Sequence, residues 1–340
     1  MVRWALGRVV SIALTLVILY FISTYVGPRL QEYVLNVVVL CGIYVILAVS
    51  LNLINGITGQ FSIGHAGFFA IGAYTGAAWS VLWLPRIIDL PFLKLGTFVG
   101  DATNLVIALI LGSLAAGVAG FIVGLPSLRL RGDYLAIVTL GFGEVIRVLL
   151  LNTEAVGGAR GMSGIPALVG SFHMELFWIL LIIVMVIQLS RNLMRSVRGL
   201  TFLAVREDEI AADAMGVNTT RVKVTAFVIG SMFAGAAGVL YAHFFTGISP
   251  DAFDMNTSII ITTMVVLGGT GSVTGSVVAA ILLTALPEFL RFMKDYRMVI
   301  FSTTLIVMML TRPQGIFGHN ELRWPRFLRR RKPAGQGSAA

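Results

Sequence analysis

The chain has 340 residues, 57% of them hydrophobic and 12% charged, about half the roughly 25% charged share of a water-soluble domain. No Asp, Glu, Lys or Arg lies between Arg8 and Arg29, Glu32 and Arg86, Asp101 and Arg129, Lys223 and Asp251, or Asp254 and Glu288. A hydrocarbon core about 30 Å thick takes about 20 apolar residues of helix, so a soluble globular fold is excluded and each window holds one or two membrane spans.

In chain order, spans are predicted near 9–26, 33–54, 61–84, 104–125, 134–151, 175–190, 222–246, 256–272, 273–290 and 297–311. The fold class is all-α: a polytopic transmembrane helical bundle of about 8–10 spans. Arg3 and Arg8 ahead of the apolar run from Val9 to Val26 resemble a signal sequence. No small-x-small cleavage pattern follows, so the run reads as an uncleaved first span. The uncharged window from Met255 to Pro287 is long for one helix and short for two plus a turn, and a re-entrant segment is an alternative there.

With the N-terminus inside, 17 basic residues fall on the inner side and seven on the outer, with Arg147 inside a span. That excess predicts both termini cytoplasmic, although Arg291, Lys294 and Arg297 on the outer side run against it. The net charge of +9 is mostly local, since the segment from Arg312 to Ala340 carries seven basic residues and one acidic. The basicity therefore belongs to a tail beside anionic lipid, not to a nucleic-acid surface.

Small residues cluster at Gly112–Gly117 and Gly230–Gly238, where they let helix backbones approach closely inside lipid. Cys41 is the only cysteine, which rules out an internal disulfide or a cysteine-based metal site. His65, His173, His243 and His319 are scattered, with no metal-ligand spacing, and no G-x-x-x-x-G-K-[ST] phosphate loop occurs. No catalytic residue, metal or cofactor is expected. Glu144 and Arg147 are three apart, on one helix face, and read either as a polar element lining a pathway or as a self-neutralising pair near the outer interface.

Two uncharged stretches are rich in glycine and polar residues, Asn55 to Gly67 and Gly268 to Ser276. Glycine-interrupted segments in the two halves of a transporter point to broken helices that bind substrate near the midplane. The substrate-pathway candidates are Asn55, Gly59, Ser62, Gly64, His65, Glu144, Gly268, Gly269, Thr270 and Ser272. The competing reading makes both stretches interhelical turns on the cytoplasmic face, and His65 a structural interhelical hydrogen-bonding group.

The segment from Arg191 to Lys223 mixes charges with good helix formers and is too long for a simple turn. Phe202, Val205, Glu209, Ala212 and Met215 recur at helical spacing, Gly216 stops the helix, and Asn218 and Thr219 cap the next. This is a compact helical hairpin, with small Ala211 and Ala212 on a face that a partner can approach.

Here the residues resemble a known family. Arg206-Glu-Asp-Glu-Ile-Ala-Ala-Asp-Ala-Met-Gly216 looks like the coupling loop of ABC-importer permeases. Asn52 to Tyr74, Gly132 to Arg147 and Val266 to Ser272 resemble the branched-chain amino acid permeases of the LivH and LivM type, and more specifically the LivM branch. The general importer pattern places Glu six residues before its glycine, where this chain has Ile210 with Glu209 one earlier, and the closing Ile-x-Leu-Pro is absent. The motifs cover about 33–311 and imply a coupling loop at about 191–221; the chain as a whole reads as a permease domain over 1–313 and a basic cytoplasmic tail over 314–340, expected to be disordered. The resemblance implies ATPase coupling through Arg206, Glu207, Glu209, Ala211, Ala212 and Gly216. It further implies two ABC ATPase subunits that use ATP and Mg²⁺, a second homologous permease, and a periplasmic binding protein delivering leucine, isoleucine or valine. A urea or short-chain amide importer uses a closely similar permease, and a stand-alone secondary transporter or channel is the reading from a different class.

Overall fold

The structure is a computed structural model that describes residues 14–25, 27–84, 98–127, 132–167, 174–312 and 314–318. Residues 9–13 and 26 of the first predicted span, and the basic tail beyond 318, lie outside the described residues. In chain order the elements are α1 (14–25), α2 (Glu32–Asn52), α3 (His65–Ala78), α4 (Phe98–Ser127) and α5 (Asp133–Asn152). They are followed by β1 (Met162–Ser163), α6 (Met174–Met194), α7 (Val197–Glu207), α8 (Glu209–Ala214) and α9 (Thr219–Phe245). The chain then forms β2 (Gly247–Ile248), α10 (Met255–Gly268), α11 (Val273–Phe289) and α12 (Arg297–Thr311). Helix prevails because lipid offers no partner for a bare N–H or C=O, and a helix satisfies both within its own segment.

Six of these helices are long and apolar enough to cross a membrane: Glu32–Ile57, Gly100–Pro126, Asp133–Asn152, Leu176–Met194, Thr219–Phe245 and Val273–Met293. The protein is thus an all-α polytopic membrane bundle. The predicted spans fall on its helices with two corrections, and the doubtful 255–287 window is resolved. Residues 61–64 of the predicted 61–84 span are not helical, and α3 starts at His65. The predicted 256–272 span is α10, whose 14 residues rise only about 21 Å, less than the bilayer core. The uncharged 255–287 window holds two helices, α10 and α11, with residues 269–272 as the turn between them.

Packing follows the small residues. α9 lies against α2, α3 and α4, and the seam where α3, α4 and α9 meet is built from Gly72, Gly112 and Gly235. A Cβ on Gly72 would sit 2.2 Å from the Gly235 carbonyl oxygen, and one on Gly235 would sit 2.7 Å from that of Gly112. Without side chains, dispersion contacts form directly between backbones, which is the main attraction available between helices in lipid. Gly112 and Gly235 belong to the clusters singled out in the sequence; their α3 counterpart Gly72 does not. Around the seam, Phe68 packs edge-on to Phe227, with centroids 5.6 Å apart. Phe253 packs on Phe69 at 4.9 Å.

α2 is the interior helix, with 78% of its most apolar window buried, whereas α5 is peripheral at 17%. Tyr134, Ile137, Val145, Val148 and Leu149 of α5, and Ile110, Leu114, Val118 and Ile122 of α4, are exposed. Apolar faces of this size are untenable in water and ordinary against acyl chains.

The two ends of the bundle differ. At one end lie the α7–α8 hairpin, the α2–α3 connection and the α10–α11 turn. At the other, β1 pairs antiparallel with β2, with Met162 opposite Ile248 and Ser163 opposite Gly247. Arg147 braces that far end through Asp251 at 2.8 Å, Glu144 at 3.4 Å and the Pro250 carbonyl at 3.4 Å.

Candidate functional site

The hairpin end is where the polar residues gather, and its local structure follows from caps. Ser196 accepts from Gly199 N to open α7, Asp208 accepts from Ile210 N and Ala211 N to open α8, and Asn218 accepts from Arg221 N to open α9. Each satisfies donors that a helix start leaves bare. Gly216, with φ +84°, takes the left-handed turn that ends the hairpin. Phe202, Val205 and Ala212 are buried against the bundle. Glu209 meets Lys223 of α9 at 2.6 Å, and the lysine side chain is only 11% exposed. The expected hairpin is present, but the face assigned to a partner divides: Ala211 is exposed while Ala212 packs inward. Met215, in the same series by spacing as the buried Phe202, Val205 and Ala212, is 85% exposed, at the turn where Gly216 ends the hairpin.

The α2–α3 connection is a broken helix. α2 continues as a π turn over Leu53–Ile57, and residues 58–64 then run back along it. His65 Nε2 lies 2.7 Å from Ser50 Oγ, and Ser50 is seven residues, about 10 Å, up the helix from Ile57. α3 thus begins well inside the bundle. Its entry is held by Asn55, whose side chain donates to Ser62 O at 3.0 Å and accepts from Ser62 N at 3.1 Å. Thr139 Oγ1 of α5 accepts from Ile63 N at 3.2 Å, and Ser258 Oγ of α10 accepts from Ala66 N at 3.0 Å. Gly64 is required by contact, since a Cβ there would fall 2.0 Å from the Thr139 carbonyl oxygen.

This break holds buried polar atoms with no hydrogen-bond partner among the described residues: Asn52 Nδ2, Gln60 Oε1, Ser62 Oγ and His65 Nδ1. Their chemistry can be assigned from their neighbours. Asn52 Oδ1 accepts from Gly271 N, which leaves its NH₂ as a free donor. Thr58 Oγ1 donates to Ile54 O and so accepts from Gln60 Nε2, leaving Gln60 Oε1 as a free acceptor. Ser50 Oγ donates to Leu47 O and so accepts from His65 Nε2–H, leaving Nδ1 as a second free acceptor. Unpartnered polar atoms in a bilayer protein cost free energy, and a cluster of both polarities is what a small polar solute requires.

The second glycine stretch meets the break at its hairpin-side end, where Gly271 N donates to Asn52 Oδ1 at 2.8 Å. Gly268, Gly269, Thr270 and Ser272 form the α10–α11 turn at the hairpin end, with Ser272 capping α11. The C-terminal segment returns to it, as Ile316 N donates to Leu267 O at 2.8 Å and Phe317 N to Gly268 O at 3.4 Å. Gly59 is at the hairpin-side mouth of the break beside Arg206, Asn55 and Ser62 are bonded to each other within it, Gly64 and His65 are at its deep end, and Glu144 is in the ion pair at the opposite half of the bundle. Asn52 and Gln60 were missed. Asn52 stood in a quoted motif, and only the side-chain network shows its free group. No group of three or more His, Cys, Asp or Glu that could hold a metal exists among the described residues.

Sequence comparison places these features in context. The profile of the branched-chain amino acid transport system permease component family matches residues 33–309. The high-affinity branched-chain amino acid transport system permease protein LivM of Salmonella typhimurium is 38% identical over 304 residues, 81% of this chain and 67% of its own length. LivM of Escherichia coli is 36% identical over 340 residues, 91% of this chain and 76% of its own. The LivH permease of Escherichia coli is 27% identical over 308 residues, 86% of this chain and 96% of its own. No solved structure matches. With a family match across nearly the whole helical bundle and LivM relatives above one third identity, the chain belongs to the branched-chain amino acid transport permease family, in its LivM branch.

Proposed function

We propose that this chain is the transmembrane subunit of an ATP-driven importer that translocates leucine, isoleucine and valine delivered by a periplasmic binding protein. Two ABC ATPase subunits dock beneath the α7–α8 hairpin, and a second homologous permease completes the pathway. The complex sits in the bacterial inner membrane with both termini of this chain cytoplasmic. ATP and Mg²⁺ are bound and hydrolysed by the ATPases; this chain carries no cofactor.

One observation carries the reading. The hairpin presents Ile210 and Met215, 70% and 85% exposed, at a tip outside the apolar bundle. Apolar side chains so placed are covered by a partner, and Ala211 beside them allows a close approach. Arg206, Glu207, Glu209, Ala212 and Gly216 hold the hairpin in its shape and transmit load from it. ATP-driven closure of the ATPases shifts the population of the bundle between inward-open and outward-open forms. The broken helix supplies the polar pathway, where donors such as Asn52 Nδ2 suit a carboxylate and acceptors such as Gln60 Oε1 and His65 Nδ1 suit an ammonium group. The names of the relatives favour branched-chain amino acids over urea or amides. A stand-alone ion-coupled transporter would need charges at membrane depth, and the Arg147 ion pairs are instead a brace near the far end.

The test is affinity purification of the tagged chain from its native membrane, with mass spectrometry and ATPase assays. Co-purification of two ATPases and a second permease, with hydrolysis stimulated by leucine-loaded binding protein, is expected. A chain that comes out alone contradicts the importer reading.

A further inference from the structure

We infer that Arg206 is a positioning residue inside the bundle, a strut that joins the hairpin to both glycine-rich connections at once, and not a contact to an ATPase. The inference rests on the importer reading and names the element within this chain that carries its motion. Arg206 stands in the last turn of α7, with its side chain 25% exposed. Its Nη1 donates to the Gly56 carbonyl at 3.0 Å, in the π turn of α2 and 150 positions away in the chain. On the other edge, Nη2 and Nε donate to Glu207 Oε1 at 2.7 and 3.3 Å. The carboxylate holds the guanidinium plane, and the plane points one corner at the break.

Two glycines make room for it, and a third lets the break meet the turn. A Cβ on Gly59 would lie 2.8 Å from Arg206 Cγ, and one on Gly271 would lie 2.8 Å from Arg206 Nη1. A Cβ on Gly56 would lie 2.2 Å from Gly271 N, which already donates to Asn52 Oδ1 at 2.8 Å. Gly59 and Gly271 also have φ of +69° and +92°, so a side chain there is strained by conformation and, with Arg206 in place, crowded as well. The α2–α3 break, the α10–α11 turn and the hairpin therefore converge on one cation. Guanidinium suits the place because its fork of donors has fixed geometry, whereas an ammonium is a point charge on a loose stem. When the hairpin moves, the Gly56 carbonyl and the Gly271 backbone move with it. Gly56 lies in the π turn that continues α2, and Gly271 in the turn that follows α10; these helices reach the pathway through Ser50 to His65 and through Ser258 to Ala66.

The experiment uses the purified complex with its binding protein, comparing Arg206→Gln and Arg206→Lys with the unaltered protein. Arg206→Gln is expected to assemble and keep basal ATPase activity, while stimulation by leucine-loaded binding protein and uptake fall about tenfold, the usual size of a coupling between sites. Arg206→Lys recovers part of both. A second variant covers the case in which Arg206→Gln is poorly folded. In Gly59→Cys/Arg206→Cys, with Cys41→Ser, a Cβ on Gly59 lies 3.5 Å from Arg206 Cβ, at the near edge of the disulfide range of about 3.5–4.5 Å. Oxidation replaces the strut by a covalent one and is expected to restore stimulation that reduction removes.

Assembly lost in Arg206→Gln would mark an ATPase contact and overturn the strut. So would stimulation equal to the unaltered complex, or an oxidised cysteine pair as inactive as the reduced one. An unaltered complex without any stimulated ATPase activity would instead overturn the importer reading beneath it.

Discussion

Two fully buried histidines show how the halves of the bundle differ. His243, towards the far end of α9, uses both ring nitrogens. Its Nδ1 donates to the Val239 carbonyl at 2.9 Å and its Nε2 accepts from Ser80 Oγ at 2.8 Å, with Asn104 Oδ1 3.3 Å from the same hydroxyl. His65, at the head of α3, uses one; Nε2 meets Ser50 and Nδ1 meets nothing among the described residues. His243 itself is paired at both nitrogens, although Trp79 Nε1 and Tyr74 Oη nearby are buried without a partner among the described residues. The polar groups beside His65 leave donors and acceptors open within a broken helix. In lipid a satisfied network stabilises a fixed arrangement, and an open one is retained where a solute passes. The contrast supports the proposal that the pathway runs through the hairpin half, with His243 in a structural role.

The comparison is broken most severely at the seam. Gly235→Leu forces a side chain against Ala116 and the Gly112 carbonyl, an overpacking cost of about 3 kcal/mol. Little folded bundle should survive detergent extraction, as read by size-exclusion chromatography. Next comes the hairpin, where Gly216→Pro or Ala211→Trp should abolish uptake while the chain still inserts and its bundle survives detergent extraction. Normal uptake by both would detach the hairpin from transport.

A pair of serines sharpens the contrast. Ser80→Ala removes the partner of His243 Nε2 and should cost about 1–3 kcal/mol, seen as a lower Tm, with uptake per folded molecule unchanged. Ser62→Ala removes a hydroxyl whose oxygen has no partner among the described residues. It should leave Tm near its starting value and lower uptake about fivefold, the scale of one lost hydrogen bond of about 1 kcal/mol. A reversal of these two results would exchange the roles of the halves.

The smallest effect is expected at Asp254, the cap of α10. Burial works against its charge, but donation from Thr257 N at 2.9 Å and Asn256 Nδ2 at 2.8 Å, with Arg147 nearby, outweighs it and holds the carboxyl below its ordinary range. A lowered value means stability present above the unfolded pKa and lost as pH falls through the folded one. Asp254→Asn should therefore flatten the acid side of the stability profile, by about 1 kcal/mol at neutral pH.

What the sequence reveals here is what acts locally. Uncharged windows mark helices because each span is priced in lipid one residue at a time, and Asn218 and Gly216 mark the hairpin boundary because caps act within a turn. The two clusters of small residues point to close packing before any partner helix is known. What stays hidden joins distant positions: Arg206 with Gly56, Glu209 with Lys223, and Met162 with Ile248. Spacing puts Met215 and Ala212 in one series with Phe202 and Val205, but it does not locate the break at Asp208, after which Ala212 packs inward and Met215 is exposed. The depth at which α3 begins depends on Ser50 and Ser258, and nothing in residues 58–64 states it. The glycine stretches look alike in composition, yet one is a deep break and the other an end turn, a distinction set by which backbones meet there.

The most direct test of the central claim is leucine uptake into proteoliposomes holding the reconstituted complex, with binding protein outside and ATP either enclosed or omitted. The account predicts uptake only with enclosed ATP and binding protein, unaffected by dissipating ion gradients. Uptake without nucleotide, driven by a proton or sodium gradient, would contradict it.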